Sequence, residues 1–313
     1  MRARLFTFDG RSLRSESVDA PGSLRWGCWN PRDGSALLVG DKGTLLESHG
    51  NGFISINART SLNLRCVDYS PDGEVAYACG NAGLALRVEG GEAMPPEERG
   101  SENLRRVAWD PSGSRALFVG NNGAAYLSTP TGLRTVQGAD TNLRSIAWHV
   151  SDGYALVSGN SFRDSFGGLL PSPNLFRFEG GELDQGPALP DVRADLVAAS
   201  WKPDGSSCLL VGYEQTWHTP SLLSYNEKGL TQLPWEVKGV FPTACAWHPT
   251  GEYALMGTSA MTDEEGSAAL YKFDGKVVEK ISTLEGSGVS CIAWSKDGVA
   301  LVVASRSVRA YSA

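Results

Sequence analysis

The sequence predicts an all-β fold, a seven-bladed β-propeller with four antiparallel strands per blade. Two observations predict it. One phrase recurs seven times: an aromatic residue, a short turn with Gly, then an apolar strand ending in a small residue. Trp29, Tyr69, Trp109, Trp148, Trp201, Trp247 and Trp294 mark the copies, at spacings of 40, 40, 39, 53, 46 and 47 residues. A period near 40 to 45 residues fits one four-stranded sheet per repeat. The second observation is compositional. The 313 residues include 37 Gly and 16 Pro, a supply of turn formers that suits many short strands.

Each element of a repeat follows from local pattern. The stretch before a marker alternates: in Leu143-Arg144-Ser145-Ile146-Ala147-Trp148, Arg144, Ile146 and Trp148 share one face, which is strand periodicity. Tight turns follow, such as Pro71-Asp72-Gly73, Pro203-Asp204-Gly205 and Pro249-Thr250-Gly251, where Pro presets φ and Gly accepts positive φ. A second strand comes next, as in Ser207-Cys208-Leu209-Leu210-Val211. A third reads Leu175-Phe176-Arg177-Phe178 or Leu270-Tyr271-Lys272-Phe273. A fourth reads Lys276 to Ile281. One body spanning 1–313 is expected, because stacked repeats share one continuous core. Propellers close by mixing their termini in one blade, so an N-terminal strand, Arg11 to Val18, is expected to complete the last one. Leu5 to Gly10 and Ser307 to Tyr311 compete for the third strand of that blade.

Composition narrows the function. The formal charge of −7 disfavours nonspecific nucleic-acid binding, which needs Lys and Arg against phosphates. No apolar run reaches the roughly 18 residues of a membrane span, and the start does not read as a signal peptide. The six cysteines, Cys28, Cys66, Cys79, Cys208, Cys245 and Cys291, form no Cys-x-x-Cys pair and fall in predicted strands. Buried reduced thiols and a cytoplasmic location are expected.

The aromatic-x-Pro-x-Gly phrase and its apolar strand resemble WD-repeat and TolB-like propellers through every repeat. A narrower likeness lies in Val39-Gly40-Asp41-Lys42-Gly43-Thr44 and Val119-Gly120-Asn121-Asn122-Gly123. These are similar to the Gly-x-x-Gly strand links of photosystem II assembly-factor propellers, a family that also carries Arg at the start of inner strands. Both resemblances imply the fold. One scaffold hosts many jobs, so neither implies an activity.

The repeats are unequal, and the inequality locates the candidate site. Blades one to three join their second and third strands by brief links, Gly40 to Gly43, Gly80 to Gly83 and Gly120 to Gly123. Blade four instead has Gly159 to Asn174, blade five Tyr213 to Pro220, and blade six Thr258 to Gly266. Alternation sends these loops to one face, together with two long inter-blade links. A rim of Phe162, Arg163, Phe166, Tyr213, Trp217, His218 and Trp235 is expected there. Long loops on a rigid scaffold carry binding, with Trp, Tyr and Arg as anchors. The alternative is that the aromatics fold back and pack the loops themselves.

The second feature is a row of arginines. Arg25, Arg65, Arg105 and Arg144 each stand four residues before their marker, where blades five to seven have Val197, Thr243 and Ser290. An arc of guanidiniums at a channel mouth is suited to a carboxylate, a phosphate or an acidic peptide. Pairing with neighbouring acids, with Asp68, Glu102 and Asp140 as candidates, is the other reading. No catalytic residue, metal ligand set or cofactor is expected. The function read from these features is a non-enzymatic scaffold, monomeric, binding a protein or acidic peptide and neither nucleic acid nor membrane. The alternative is a propeller hydrolase or lyase using the same mouth.

Overall fold

Second strands such as Ala36–Gly40 and Ala116–Gly120 are apolar along their whole length and buried along their whole length. That is the pattern of a strand covered on both faces, not of one with a wet side. In the computed structural model these strands sit second in seven four-stranded antiparallel sheets, one of which carries an extra short strand. Residues 2–49, 52–160, 175–187, 194–214, 219–237, 239–260, 268–284 and 287–306 are described. The fold is a seven-bladed β-propeller with almost no helix.

Blade one comprises Leu24–Trp29, Ala36–Gly40, Leu45–His49 and Gly52–Ser55. Blades two to six repeat that order, with first strands Leu64–Tyr69, Leu104–Trp109, Asn142–Trp148, Ala194–Trp201 and Val240–Trp247. Blade seven takes its first two strands, Ser287–Trp294 and Ala300–Arg306, from the C-terminal end. Its third and outer strands, Arg2–Phe8 and Leu13–Asp19, come from the N-terminus. The N-terminal segment therefore wins the contested third-strand slot, with Leu5 opposite Val303 and Phe6 opposite Val302. Residues Ser307 to Tyr311 lie outside the described residues.

The chain divides into two compact units. One holds Met1–Thr135 with Ser290–Ser305, and the other holds Val136–Val289 with Arg306–Ala313. Within each, first strands of adjacent blades pack on one another. Apolar clusters fill the spaces between blades. Cys28, Leu37 and Val39 meet Val67, Ala76 and Leu86 between blades one and two. Leu209, Val211 and Leu222 meet Trp247, Met256 and Tyr271 between blades five and six.

Two local devices fix each blade. After the marker, the turn Gly takes a left-handed conformation and its N–H returns to the residue that opened the turn. Gly113 N bonds Asp110 O at 2.9 Å and Gly205 N bonds Lys202 O at 2.9 Å, with φ of 71° and 72°. The indoles of Trp29 and Trp201 tie their blades to the preceding one. Trp29 Nε1 donates to Ala293 O at 3.1 Å, and Trp201 Nε1 donates to Ala147 O at 3.0 Å.

The small residue ending each second strand also has a physical cause. A Cβ on Gly40, Gly80 or Gly120 would stand 2.2, 2.3 or 2.3 Å from the carbonyl oxygen of Ser23, Asn63 or Asn103. The first strand presses its backbone against that glycine. Gly120→Ala should therefore lower stability by about 1–3 kcal/mol through overpacking, read as a reduced urea midpoint. Gly52→Ala, where a Cβ meets nothing within 4 Å, serves as the neutral control.

Candidate functional site

In blades one to six the first strand shifts register against the second at one residue. The shifts fall between Leu24 and Trp26, Leu64 and Cys66, Leu104 and Arg106, Leu143 and Ser145, Leu196 and Ala198, and Pro242 and Ala244. The skipped residues are Arg25, Arg65, Arg105, Arg144, Val197 and Thr243. Every arginine of the row is thus the unpaired residue of a β-bulge, a feature that re-aims a side chain out of the ladder.

Each arginine turns to the residue sixteen positions later, just past the glycine that ends the second strand. Arg25 forks onto Asp41, Nε to Oδ1 at 2.9 Å and Nη2 to Oδ2 at 2.7 Å. Arg65 Nε donates to Asn81 Oδ1 at 2.8 Å and Arg105 Nε to Asn121 Oδ1 at 2.9 Å. Arg144 Nε donates to Asn160 Oδ1. The orienting partner is a carboxylate in blade one and a neutral amide in the next three. Arg105 is buried and the other three are half-buried.

The same bulge slot has another use elsewhere. Thr243 Oγ1 donates its single proton to Val289 O, with Gly257 O also within reach at 3.2 Å. In blade seven Ser290, at the same offset from its marker, donates Oγ–H to Val303 O at 3.1 Å. A hydroxyl there satisfies a strand carbonyl, whereas an arginine reaches past it to the hairpin.

The loop-bearing edge of the second unit is built by longer strands. First strands run eight residues in blades five and six against six in blades one to three. The extensions pair Asp195 with Tyr213 and Phe241 with Ser259. Tyr213, half-buried, meets Phe241 edge-to-face with centroids 5.0 Å apart. Phe241 escaped sequence reasoning. Its signal was Val240-Phe241-Pro242, an aromatic at an extended strand start.

Trp235 does not stand open on the rim. It is buried between blades five and six, edge-to-face with Tyr271 at 5.6 Å. An indole that can cover the apolar faces of Leu209 and Met256 gains more by burial than by standing in water. Phe162, Arg163, Phe166, Trp217 and His218 lie outside the described residues. Among the described residues, no group of three His, Cys, Asp or Glu side chains could hold a metal ion.

Residues 278–309 match the family model for the WD domain, G-beta repeat. The last repeat is a WD-repeat match. It spans the outer strand of blade six and the first two strands of blade seven. Solved structures similar to the chain in fold include the following two. Hydrazine synthase from Kuenenia stuttgartiensis aligns with TM-score 0.71 and 14% identity, over 93% of this chain and 97% of that one. A mitotic checkpoint complex chain aligns with TM-score 0.68 and 14% identity, over 93% and 90%. At that identity the likeness shows the fold alone. No curated protein matches the sequence.

The propeller also holds one unusual acid, three residues after Arg65 on the same strand. Asp68, on the first strand of blade two, accepts the backbone N–H of Trp109 in blade three at 2.9 Å. Ser200 does the same for Trp247 at 3.1 Å in blade five. Desolvation pushes the Asp68 carboxyl from its ordinary 3.8 up to about 7, against the Trp109 and Tyr69 backbone bonds that lower it. The groups facing it are the thiols of Cys28, Cys66 and Cys291. All six cysteines are buried and free, and burial pushes Cys66 up to about 12. No helix among the described residues is long and apolar enough to cross a membrane.

Two predictions follow from these placements. Between pH about 4 and 7 the folded chain keeps the Asp68 proton that the unfolded chain releases, so stability falls as pH rises through that window. Asp68→Asn should flatten the dependence of the urea midpoint on pH, and an unchanged slope would remove Asp68 as its cause. Trp235→Ala should cost about 3–5 kcal/mol, while Trp235→Phe should retain most of the thermal midpoint, because Trp235 Nε1 has no hydrogen-bond partner among the described residues.

Proposed function

We propose that the protein is a non-enzymatic interaction scaffold that receives an acidic segment of a protein or peptide on its loop-bearing edge. The observation that carries this reading is the repeated bulge arginine. At a β-bulge the side chain is re-aimed relative to the ladder, and four successive repeats place Arg there. In three of them an amide oxygen of the following hairpin accepts from Nε and holds the guanidinium in place. Guanidiniums held this way are suited to carboxylates, since less side-chain freedom remains to be lost on binding.

The WD-repeat match and the checkpoint-complex likeness support a binding role through fold. The hydrazine synthase likeness is equally one of fold. A cytoplasmic, monomeric protein that takes neither nucleic acid nor membrane as partner belongs to the same proposal.

A fluorescein-labelled Glu-rich peptide tests the reading by anisotropy against the full chain. Arg65→Gln with Arg105→Gln should weaken binding about tenfold while circular dichroism stays unchanged. Wild-type affinity should fall with added salt. Affinity equal at low and high salt would sink the electrostatic reading.

A further inference from the structure

We infer that the blade-one corner of the first unit, carrying Lys42 and Arg59, is where an acidic peptide docks first, ahead of the bulge arginines. This rests on the scaffold reading above and names the sub-site and partner chemistry within it. Four described non-glycine residues have left-handed backbone: Lys42, Arg59, Ala82 and Asn122, with φ between 50° and 58°. Such conformations cost energy unless the surroundings hold them. Lys42 is held because its N–H donates to Asn63 Oδ1 at 3.0 Å. Arg59 is held because its N–H donates to Asn57 Oδ1 at 3.0 Å. Both side chains are exposed. Among the described residues neither makes an ion pair, while exposed Arg32, Arg87 and Arg99 each do.

The two cations share one corner. The Lys42 hairpin abuts the inter-blade link that bears Arg59. Gly43 N bonds Leu62 O at 2.8 Å, and a Cβ on Gly43 would lie 2.0 Å from Thr60 O. Arg65 is the second residue of the first strand that follows that link. The acid nearest Lys42 in sequence is already engaged, since Arg25 takes both oxygens of Asp41. The corner therefore presents net positive charge on a pre-set backbone. The next link along the edge is opposite in character. It carries Glu97, Glu98 and Glu102, with Arg99 committed to Glu97 at 3.0 Å. An acidic segment is drawn to the first corner and repelled from the second. That contrast assigns a location as well as a charge.

The test uses the full chain and the labelled Glu-rich peptide. Lys42→Glu with Arg59→Glu should weaken binding about tenfold in low salt, mostly through slower association. Lys42→Arg with Arg59→Lys should restore it. If Lys42→Glu with Arg59→Glu binds like wild type while Arg65→Gln with Arg105→Gln is weakened, this corner is overturned and the scaffold reading stands. If both double variants bind like wild type, or the wild type does not bind the peptide, both readings fall. A single-stranded RNA that displaces the peptide at equal concentration would overturn the assignment to an acidic protein segment.

Discussion

Burial of the second strand of every blade on both faces is the constraint from which the rest follows. Leu37, Leu38 and Val39 are fully buried, as are Leu117, Phe118 and Val119. A strand so enclosed needs apolar neighbours from two adjacent sheets, and no single blade can supply them. Blades must therefore stack, and the core must lie between sheets rather than within one. Polar groups near these seams are accordingly tied to backbone of the adjoining blade, as at Trp29, Trp201 and Asp68.

Close stacking explains the glycines and the bulges together. The second strand ends where a carbonyl of the first strand presses within contact of its last residue, and only glycine leaves room. At the same level the first strand inserts an extra residue. That residue cannot join the ladder, so its side chain is available for the edge. The packing solution and the candidate site are one device. An arginine in the slot bridges to the hairpin, whereas a threonine or serine turns back and bonds a strand carbonyl. Residue type at a single bulge decides whether the side chain reaches the hairpin or returns to a strand carbonyl.

Much of this was legible in the residues. The marker spacing marks out seven sheets, Pro-x-Gly marks the turns, and the fully apolar runs mark strands covered on both sides. The arginine row was legible as a row, since its members share one offset from their markers. The partners were not. Asp41, Asn81, Asn121 and Asn160 stand sixteen residues away across a bulge, and a bulge leaves no mark in alternation when the skipped residue is polar. The N-terminal source of both outer strands in blade seven was legible only in part. Two segments had equal strand character, and pairing with Ala300–Arg306 chose between them.

Sequence by itself determined the repeat, the number of blades, the turn chemistry and which positions vary between blades. These depend on local period and composition, which are properties of neighbours along the chain. Tertiary structure decided that Trp235 is core, that Tyr213 meets Phe241, that each arginine leans on a hairpin amide or acid, and that Asp68 loses its water. Those outcomes depend on which surfaces approach one another, and that is set by the stacking of sheets whose contacting residues lie tens of positions apart.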